Sequence, residues 1–400
     1  MKRVLLVNKF YYPRGGDCIV VLNTQALLRD SGVEAEVFAM EYPENQIARY
    51  QGQFASEVQF GGGMGNRLRA LKRTLGMGDV RRRFEAVLDD FKPDVVHLHN
   101  IHSYLSPVVG ELAHKRGIRV VWTLHDYKLL CPRYDCLLDG KPCEKCYKGA
   151  KRNVLTHRCM KGSLPASAVA WLEAKKWNRR VLEKNTDMFV CPSEFMADKM
   201  RIGGFASAKL KVLNNFLDPV KLAHYRTVDN DLPREDFYCY VGRLSNEKGV
   251  ADLLEVASRL PYRLKVAGGG PLEDELRTRY AGCSNIEFLG MLDAQGVASL
   301  LTRARLSVAP SQCYENNPLS VIESLCAGTP VAGAQMGGIP ELIDSETGVT
   351  FQPFDQETMT TAITMSMARE WNHAEISRQA MERFSPESHL QSLLTNIYGF

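Results

Sequence analysis

Two glutamates, Glu315 and Glu323, flank the stretch Asn316–Asn317–Pro318–Leu319 inside the run APSQCYENNPLSVIESLCAGTPV, from Ala309 to Val331. Pro318 suits the first turn of a helix, where its missing N–H would be unpaired in any case. The pattern predicts a helix reaching Ala327 and stopping at Gly328, with an apolar strand starting at Thr329–Pro330–Val331. A helix start of this kind aims free backbone N–H groups and a partial positive charge at an anion in front of it. A carboxylate before that start and another on the second turn can grip hydroxyl-bearing groups on either side of a bound phosphate. A sugar nucleotide has that shape, with phosphate in the middle and a sugar at each end.

Further residues of useful chemistry follow predicted strands. Arg243 and Lys248 stand five residues apart around a turn after the strand Phe237–Val241, so both can reach one pyrophosphate. Gly337–Gly338 before Ile339 can add backbone donors at a helix start. Gly15–Gly16 follow the strand Val4–Asn8, where glycine permits close backbone approach by a phosphate or sugar, although a simple turn needs the same pair. His125 ends the strand Arg119–Leu124 and is followed by Asp126. His97, His99 and His102 cluster in VVHLHNIHS, where polar core or cleft roles are commoner than metal ligation. The run AGGGP, Ala267–Pro271, lacks the third glycine of a dinucleotide fingerprint. An Asp-x-Asp metal motif occurs only at Asp229–Asn230–Asp231, inside a polar stretch, and reads as solvated; no catalytic metal is expected.

Five of eleven cysteines fall between Cys131 and Cys159. Cys131, Cys143, Cys146 and Cys159 have the separated-set spacing of a structural zinc site, with Cys136 and His157 as spare ligands. Unligated thiols remain open as an alternative; disulfides are disfavoured in a reducing compartment. Cys191, Cys239 and Cys326 sit in apolar stretches and read as core thiols.

The elements that must position these groups alternate between short β-rich runs and helical patterns, the sign of parallel sheets in α/β domains. Strands are predicted at Val4–Asn8, Ala35–Met40, Val95–His99, Arg119–Leu124 and Met188–Cys191. Helices are predicted at Cys18–Asp30, Arg82–Phe91, Pro107–Arg116 and Ala166–Lys184. The second half restarts with strands at Phe237–Val241, Arg263–Ala267, Ile286–Leu289, Leu306–Ala309 and Pro330–Ala332. The polar stretch Thr227–Asp236 reads as a linker. Two doubly wound domains follow, residues 1–215 with the cysteine insert 131–159 and residues 216–385, with ligands at the carboxyl ends of the strands.

These motifs resemble those of the retaining glycosyltransferases of family 4, which have the GT-B fold of two Rossmann-like domains facing across a cleft. The resemblance rests on the two-glutamate segment, GRLSNEKG (Gly242–Gly249), AGGGP, GGIPELI (Gly337–Ile343) and TLHD (Thr123–Asp126), and covers most of the chain. It implies that Arg243 and Lys248 hold the donor diphosphate, and that Glu315, Asn316, Asn317, Pro318, Leu319 and Glu323 contact the donor. It places Gly268 beside the nucleotide and Phe288 and Leu289 beside the base. It puts Gly15 and Gly16 across the cleft, and gives His125 a donor-sugar role. It also implies a last helix, 386–400, crossing back to the first domain. The expected activity is metal-independent retaining transfer of a hexosyl unit from a UDP- or GDP-sugar to a glycan or lipid-linked acceptor. A sugar-nucleotide epimerase or hydrolase on the same scaffold, and a basic zinc-bearing membrane or nucleic-acid adaptor, are the alternatives.

Composition is that of an ordinary globular protein, 45% hydrophobic and 24% charged. No apolar run reaches the length of about 18 residues that a membrane-spanning helix needs. The opening MKRVLLVNKF is too brief for a signal peptide and reads as a first strand. The net charge of +4 hides an asymmetry. Residues 1–215 hold 35 Lys+Arg against 22 Asp+Glu, a net +13, whereas residues 216–400 hold 15 against 24, a net −9. The basic half favours anionic partners. Its strongest run is Arg67–Arg83, seven cations against Asp79 with leucines interleaved, which suits an anionic membrane face or a lipid-diphosphate acceptor. The expectation is a cytoplasmic enzyme, peripheral on the inner membrane face, with no nucleic-acid partner.

Overall fold

The computed structural model describes every residue except Gly61, Gly62, Asp229, Asp231 and Leu232, so both aspartates of Asp229–Asn230–Asp231 lie outside the described residues. The chain divides into two compact units. One comprises Met1–Cys136, Cys143–Asn214 and His389–Phe400, and the other Leu137–Pro142 and Asn215–Ser388.

The first unit carries six parallel strands: β1 (Arg3–Val7), β2 (Glu34–Phe38), β3 (Val95–Leu98), β4 (Arg119–Thr123), β5 (Met188–Cys191) and β6 (Leu210–Val212). They run in the order β2-β1-β3-β4-β5-β6. Val4 to Val7, Val95 to Leu98 and Val120 to Thr123 are buried at every position. Helices therefore cover both faces, which is why these strands read as continuous apolar runs rather than alternating ones. Val4, Leu6, Val37, Val95, Val121 and Val190 form one core with the C-terminal Leu393, Ile397 and Tyr398.

The second unit repeats the plan with β7 (Glu235–Val241), β8 (Arg263–Ala267), β9 (Ile286–Gly290), β10 (Ala304–Ala309), β11 (Val331–Ala334) and β12 (Gly348–Phe351). Their order, β9-β8-β7-β10-β11-β12, reverses direction at β7, so β7 and β10 diverge at a topological switch point. Both units are doubly wound α/β folds of the GT-B kind.

Several elements differ from expectation. The edge strands β6 and β12 were not predicted, because LKV and GVTF are too short and mixed to carry a pattern. The helix expected over 166–184 breaks into Leu164–Lys176 and Arg179–Lys184. Asn178 caps the second piece, accepting from the Arg180 and Val181 N–H groups. The stretch Thr227–Asp236 is not where the units divide: the chain changes unit at Asn214–Asn215. The helix Pro219–Arg226 precedes that stretch and buries Leu222 and Tyr225 in the second core. Polarity did not mark the boundary.

The C-terminal segment is held to the first unit by buried polar contacts. Tyr398 Oη lies 2.7 Å from His97 Nδ1, and His97 Nε2 lies 2.7 Å from Thr123 Oγ1. Arg119 donates twice to the Ile397 carbonyl, at 3.0 and 2.8 Å. Burial drives the His97 pKa down to about 3 and that of His389 down to about 4, and lowers His99 as well. Unfolded histidines take up protons near pH 6.5, so below that pH the unfolded chain binds more protons than the folded one. Stability of the first unit should therefore fall as pH drops from about 6.5 towards 4. Urea unfolding followed through Trp122, Trp171 and Trp177 should show this slope, and His97→Gln should make it shallower. A midpoint independent of pH across that window would contradict the buried neutral state.

Candidate functional site

The segment around the two glutamates leaves the carboxyl end of β10 and forms a loop and the helix Leu319–Cys326. Pro318 is the residue just before the helix, with extended backbone, one position earlier than expected. No side chain caps this helix start, so the N–H groups of its first turn are not taken up by a capping residue. The helix ends as predicted, with Gly328 in the left-handed region.

Glu315 is gripped from several sides. Lys248, in the turn after β7, places its Nζ 2.5 Å from Glu315 Oε1, and Ser311 Oγ donates to the same oxygen at 2.6 Å. Burial disfavours the Lys248 ammonium, but the facing Glu315 carboxylate outweighs it and raises the lysine's pKa above the ordinary value. The lysine thus stays charged at neutral pH. Behind the loop, Gly337 has φ 64°, and a Cβ there would fall 2.1 Å from the Glu315 carbonyl oxygen. Gly338 N–H donates to that same carbonyl at 2.7 Å. Contrary to the sequence expectation, Gly338 holds the Glu315 loop instead of offering its N–H to a ligand, and only the short turn Pro340–Leu342 follows.

Glu323 is nearly buried, and Lys221 Nζ reaches its Oε1 at 2.6 Å. Asn317 accepts from Asn215 N at 2.7 Å and from Asn215 Nδ2, through its carbonyl, at 2.8 Å. Lys221, Asn215 and Ser311 were not predicted. The first two lie about a hundred residues from their partners, so only the fold joins them.

Gly268, after β8, has φ 131°, and a Cβ there would stand 1.9 Å from the Gly242 carbonyl oxygen. Only glycine allows the loops after β7 and β8 to lie that close. Next to Gly242, Arg243 is exposed, its carbonyl accepting from Tyr240 Oη at 2.8 Å; no ion-pair partner reaches its side chain among the described residues. Phe288 and Leu289 are neighbours on β9 and pack against different core clusters, so they do not form one wall. Arg277 lies 5.2 Å from the Phe288 ring.

The remaining predicted residues lie in the first unit. Gly15 precedes the helix Gly16–Asp30 with φ −165°, and a Cβ there would meet only Asp17 Oδ1, at 3.4 Å. Glycine is therefore not demanded by backbone geometry at that position. His125 Nε2 faces His99 Nδ1 at 3.0 Å, and burial lowers the His125 pKa despite Asp17 and Asp126 nearby. Burial opposes ionisation of Asp126, yet His102, at 3.3 Å, and the Lys128 N–H hold its carboxyl down to about 2.

Among the described residues no group of three or more His, Cys, Asp and Glu side chains is arranged to hold a metal ion, although Cys131, Cys143 and Cys159 lie near enough to Cys146 to raise its pKa by their charge. The Cys136 thiol lies 3.4 Å from Tyr147 Oη and also hydrogen-bonds Cys131, pulling Cys131 down to about 6. Burial pushes Cys146 up to about 12, and Cys159 Sγ faces the Asn153 carbonyl at 4.0 Å. Cys143 is tied through its backbone, its N–H donating to the Cys136 carbonyl at 2.6 Å. The basic run Arg67–Arg83 also differs from a uniform charged face. Arg73 is fully buried, bonding Asp79 at 2.5 Å and the Tyr104 carbonyl at 3.0 Å.

Known proteins resemble this chain in sequence and in fold. Residues 19–215 match the family described as glycosyl transferase 4-like domain, and residues 235–368 match glycosyl transferases group 1. The chain is 28% identical to the sulfoquinovosyl transferase SQD2 of Arabidopsis thaliana over 50% of its own length and 42% of that protein. It is 26% identical to an uncharacterized 42.6 kDa protein of the cps region of Klebsiella pneumoniae, over 85% of the chain and 87% of that protein. The chain spans about half the length or less of several of the curated relatives it matches. In fold it is similar to the lipopolysaccharide outer core galactosyltransferase WaaB, with a TM-score of 0.68 at 16% identity over 99% of both chains. Two family matches in order, one on each doubly wound unit, and the two-glutamate loop at the switch point of the second sheet lead to one conclusion: the chain belongs to the family-4 type of GT-B glycosyltransferases.

Proposed function

We propose that this chain transfers a hexosyl unit from a UDP- or GDP-sugar to a glycan or lipid-linked acceptor, with retention of configuration. The observation that carries this reading is the Lys248–Glu315 pair beside the uncapped start of the helix Leu319–Cys326. A leaving diphosphate needs fixed positive charge, and Lys248, exposed Arg243 and the helix start supply it without reorganising. Glu315 and Glu323 then meet sugar hydroxyls at the two ends of the donor. Named relatives that transfer galactosyl and sulfoquinovosyl groups favour a hexose. With cations and a helix dipole at the diphosphate, the reaction has no need of a catalytic metal. The leaving phosphate takes the acceptor proton. Among the described residues no helix is long and apolar enough to cross a membrane. Nucleotide-sugar supply favours the cytoplasm as the place of work.

Lys248→Ala should slow transfer about 100- to 1000-fold, the usual cost of removing one such electrostatic group. Thermal unfolding shows whether the fold survives; wild-type turnover in a folded variant would sink the assignment. Consumption of donor without any acceptor would favour an epimerase or hydrolase.

Glu323→Ala should weaken binding of the free nucleoside diphosphate, whereas Glu315→Ala should chiefly impair use of the sugar. Calorimetry with UDP and GDP separates the two effects and names the base. If both variants bind the nucleotide as tightly as the parent, the two-ended grip is wrong.

We also propose that the first unit rests on anionic membrane. With Arg73 buried, the exposed cations are Arg67, Arg69, Lys72 and Arg82, beside Met64 at 85% and Leu68 at 51% exposure. Each cation near an anionic bilayer contributes about 1 kcal/mol, screened over a Debye length of about 8 Å. Vesicles containing phosphatidylserine should co-sediment the protein and release it at high salt. Equal binding to neutral vesicles, or none to either, would refute this.

A further inference from the structure

A cavity of about 700 Å³ opens within the first unit. Its walls are the loop Lys128–Pro132, the turn around Gly149, the helix Leu164–Lys176, the corner Trp177–Arg180 and the turn Ile202–Phe205. The volume falls within the range of small-molecule sites, about 300–1,000 Å³.

The lining is unusual in charge. It holds seven lysines and arginines against a single carboxylate, Glu173. That carboxylate is committed: it pairs with Lys128 at 3.0 Å and accepts from Ser103 N and Oγ at 2.8 and 2.9 Å. Arg179 is likewise occupied, by Glu183 at 2.9 Å and the Gly204 carbonyl at 2.6 Å. No carboxylate pairs with Lys148, Arg152, Lys175 or Arg180 among the described residues. These four are exposed, whereas the apolar lining residues Trp177, Leu182 and Phe205 are buried. The site thus combines accessible unpaired cations with an aromatic and aliphatic interior. Cations alone would suit any anion, and an apolar interior alone would suit any hydrophobe; together they select a molecule with both parts. Burial also pushes Lys151 down to about 8 while its Nζ donates to the Leu129 carbonyl at 3.1 Å, so an anion brought beside it would favour its charged form.

We propose that this cavity binds a phosphate or diphosphate carried on an apolar stem, with the anion on Arg152 and Arg180 and the stem against Trp177 and Phe205. The ligand's role as acceptor rests on the transferase reading; its binding does not.

The full chain is titrated with farnesyl diphosphate and lysophosphatidate below their micelle concentrations, and with inorganic pyrophosphate and farnesol, following tryptophan fluorescence. One of the two amphiphiles, at least, should bind about tenfold or more tighter than pyrophosphate and farnesol, and the tighter amphiphile identifies the source of the phosphate. Arg152→Glu/Arg180→Glu should weaken that binding about tenfold or more and leave UDP or GDP binding unchanged, since both side chains are exposed and lie in the other unit. Pyrophosphate or farnesol binding as tightly as the amphiphiles, or a double variant with parental affinity for them, overturns the proposal. Amphiphile binding without any nucleotide binding would keep the cavity and remove the transferase reading; nucleotide binding without amphiphile binding would do the reverse.

Discussion

A parallel strand cannot be followed directly by its neighbour; the chain must first cross the sheet, and here it does so through helices in both units. All strands of a sheet therefore end on the same side, and the loops that leave them collect there. In the second unit, β7, β8 and β10 deliver Arg243 and Lys248, Gly268, and Glu315 to one edge of the sheet. Because the order reverses at β7, the helices that follow β7 and β10 cover opposite faces and leave a crevice between the loops. Residues far apart in sequence are thereby brought to hydrogen-bonding distance, as Lys248 and Glu315 are at 2.5 Å.

Precision within that crevice comes from backbone contact. The loops after β7 and β8 approach so closely that only glycine fits at Gly268, and the loop bearing Glu315 lies on Gly337 and Gly338. Side chains then act on a fixed frame. Lys248 is stabilised as a cation by the facing Glu315 carboxylate, which outweighs its partial desolvation.

The first unit uses the same architecture for another purpose. Its buried histidines are neutral links that join β3, β4 and the C-terminal segment, and its basic excess is divided between structural and free cations. Arg73 ties two helices together through Asp79, whereas Arg152 and Arg180 face solvent beside an apolar cavity. A count of charges along the chain could not make that division, since both kinds lie in equally basic sequence.

Periodicity and turn residues were enough to read the doubly wound class, the central strands and the helix after Pro318, because these depend on local burial pattern and backbone preference. The motif spacing likewise marked Arg243, Lys248 and Glu315 on the turns and loops that leave strands, and Glu323 on the second turn of a helix. Short edge strands such as Gly348–Phe351 escaped notice because only pairing with a neighbour makes them strands. The same holds for Lys221 at Glu323 and Asn215 at Asn317. The cysteine insert has ligand spacing, but which group each thiol meets is set by the fold, which brings Cys136 to Tyr147. Sequence determines which groups are near a loop or helix end, since those are local properties. Which of them meet, and which cations remain free, is decided by the crossover connections, whose packing fixes distances that no spacing along the chain encodes.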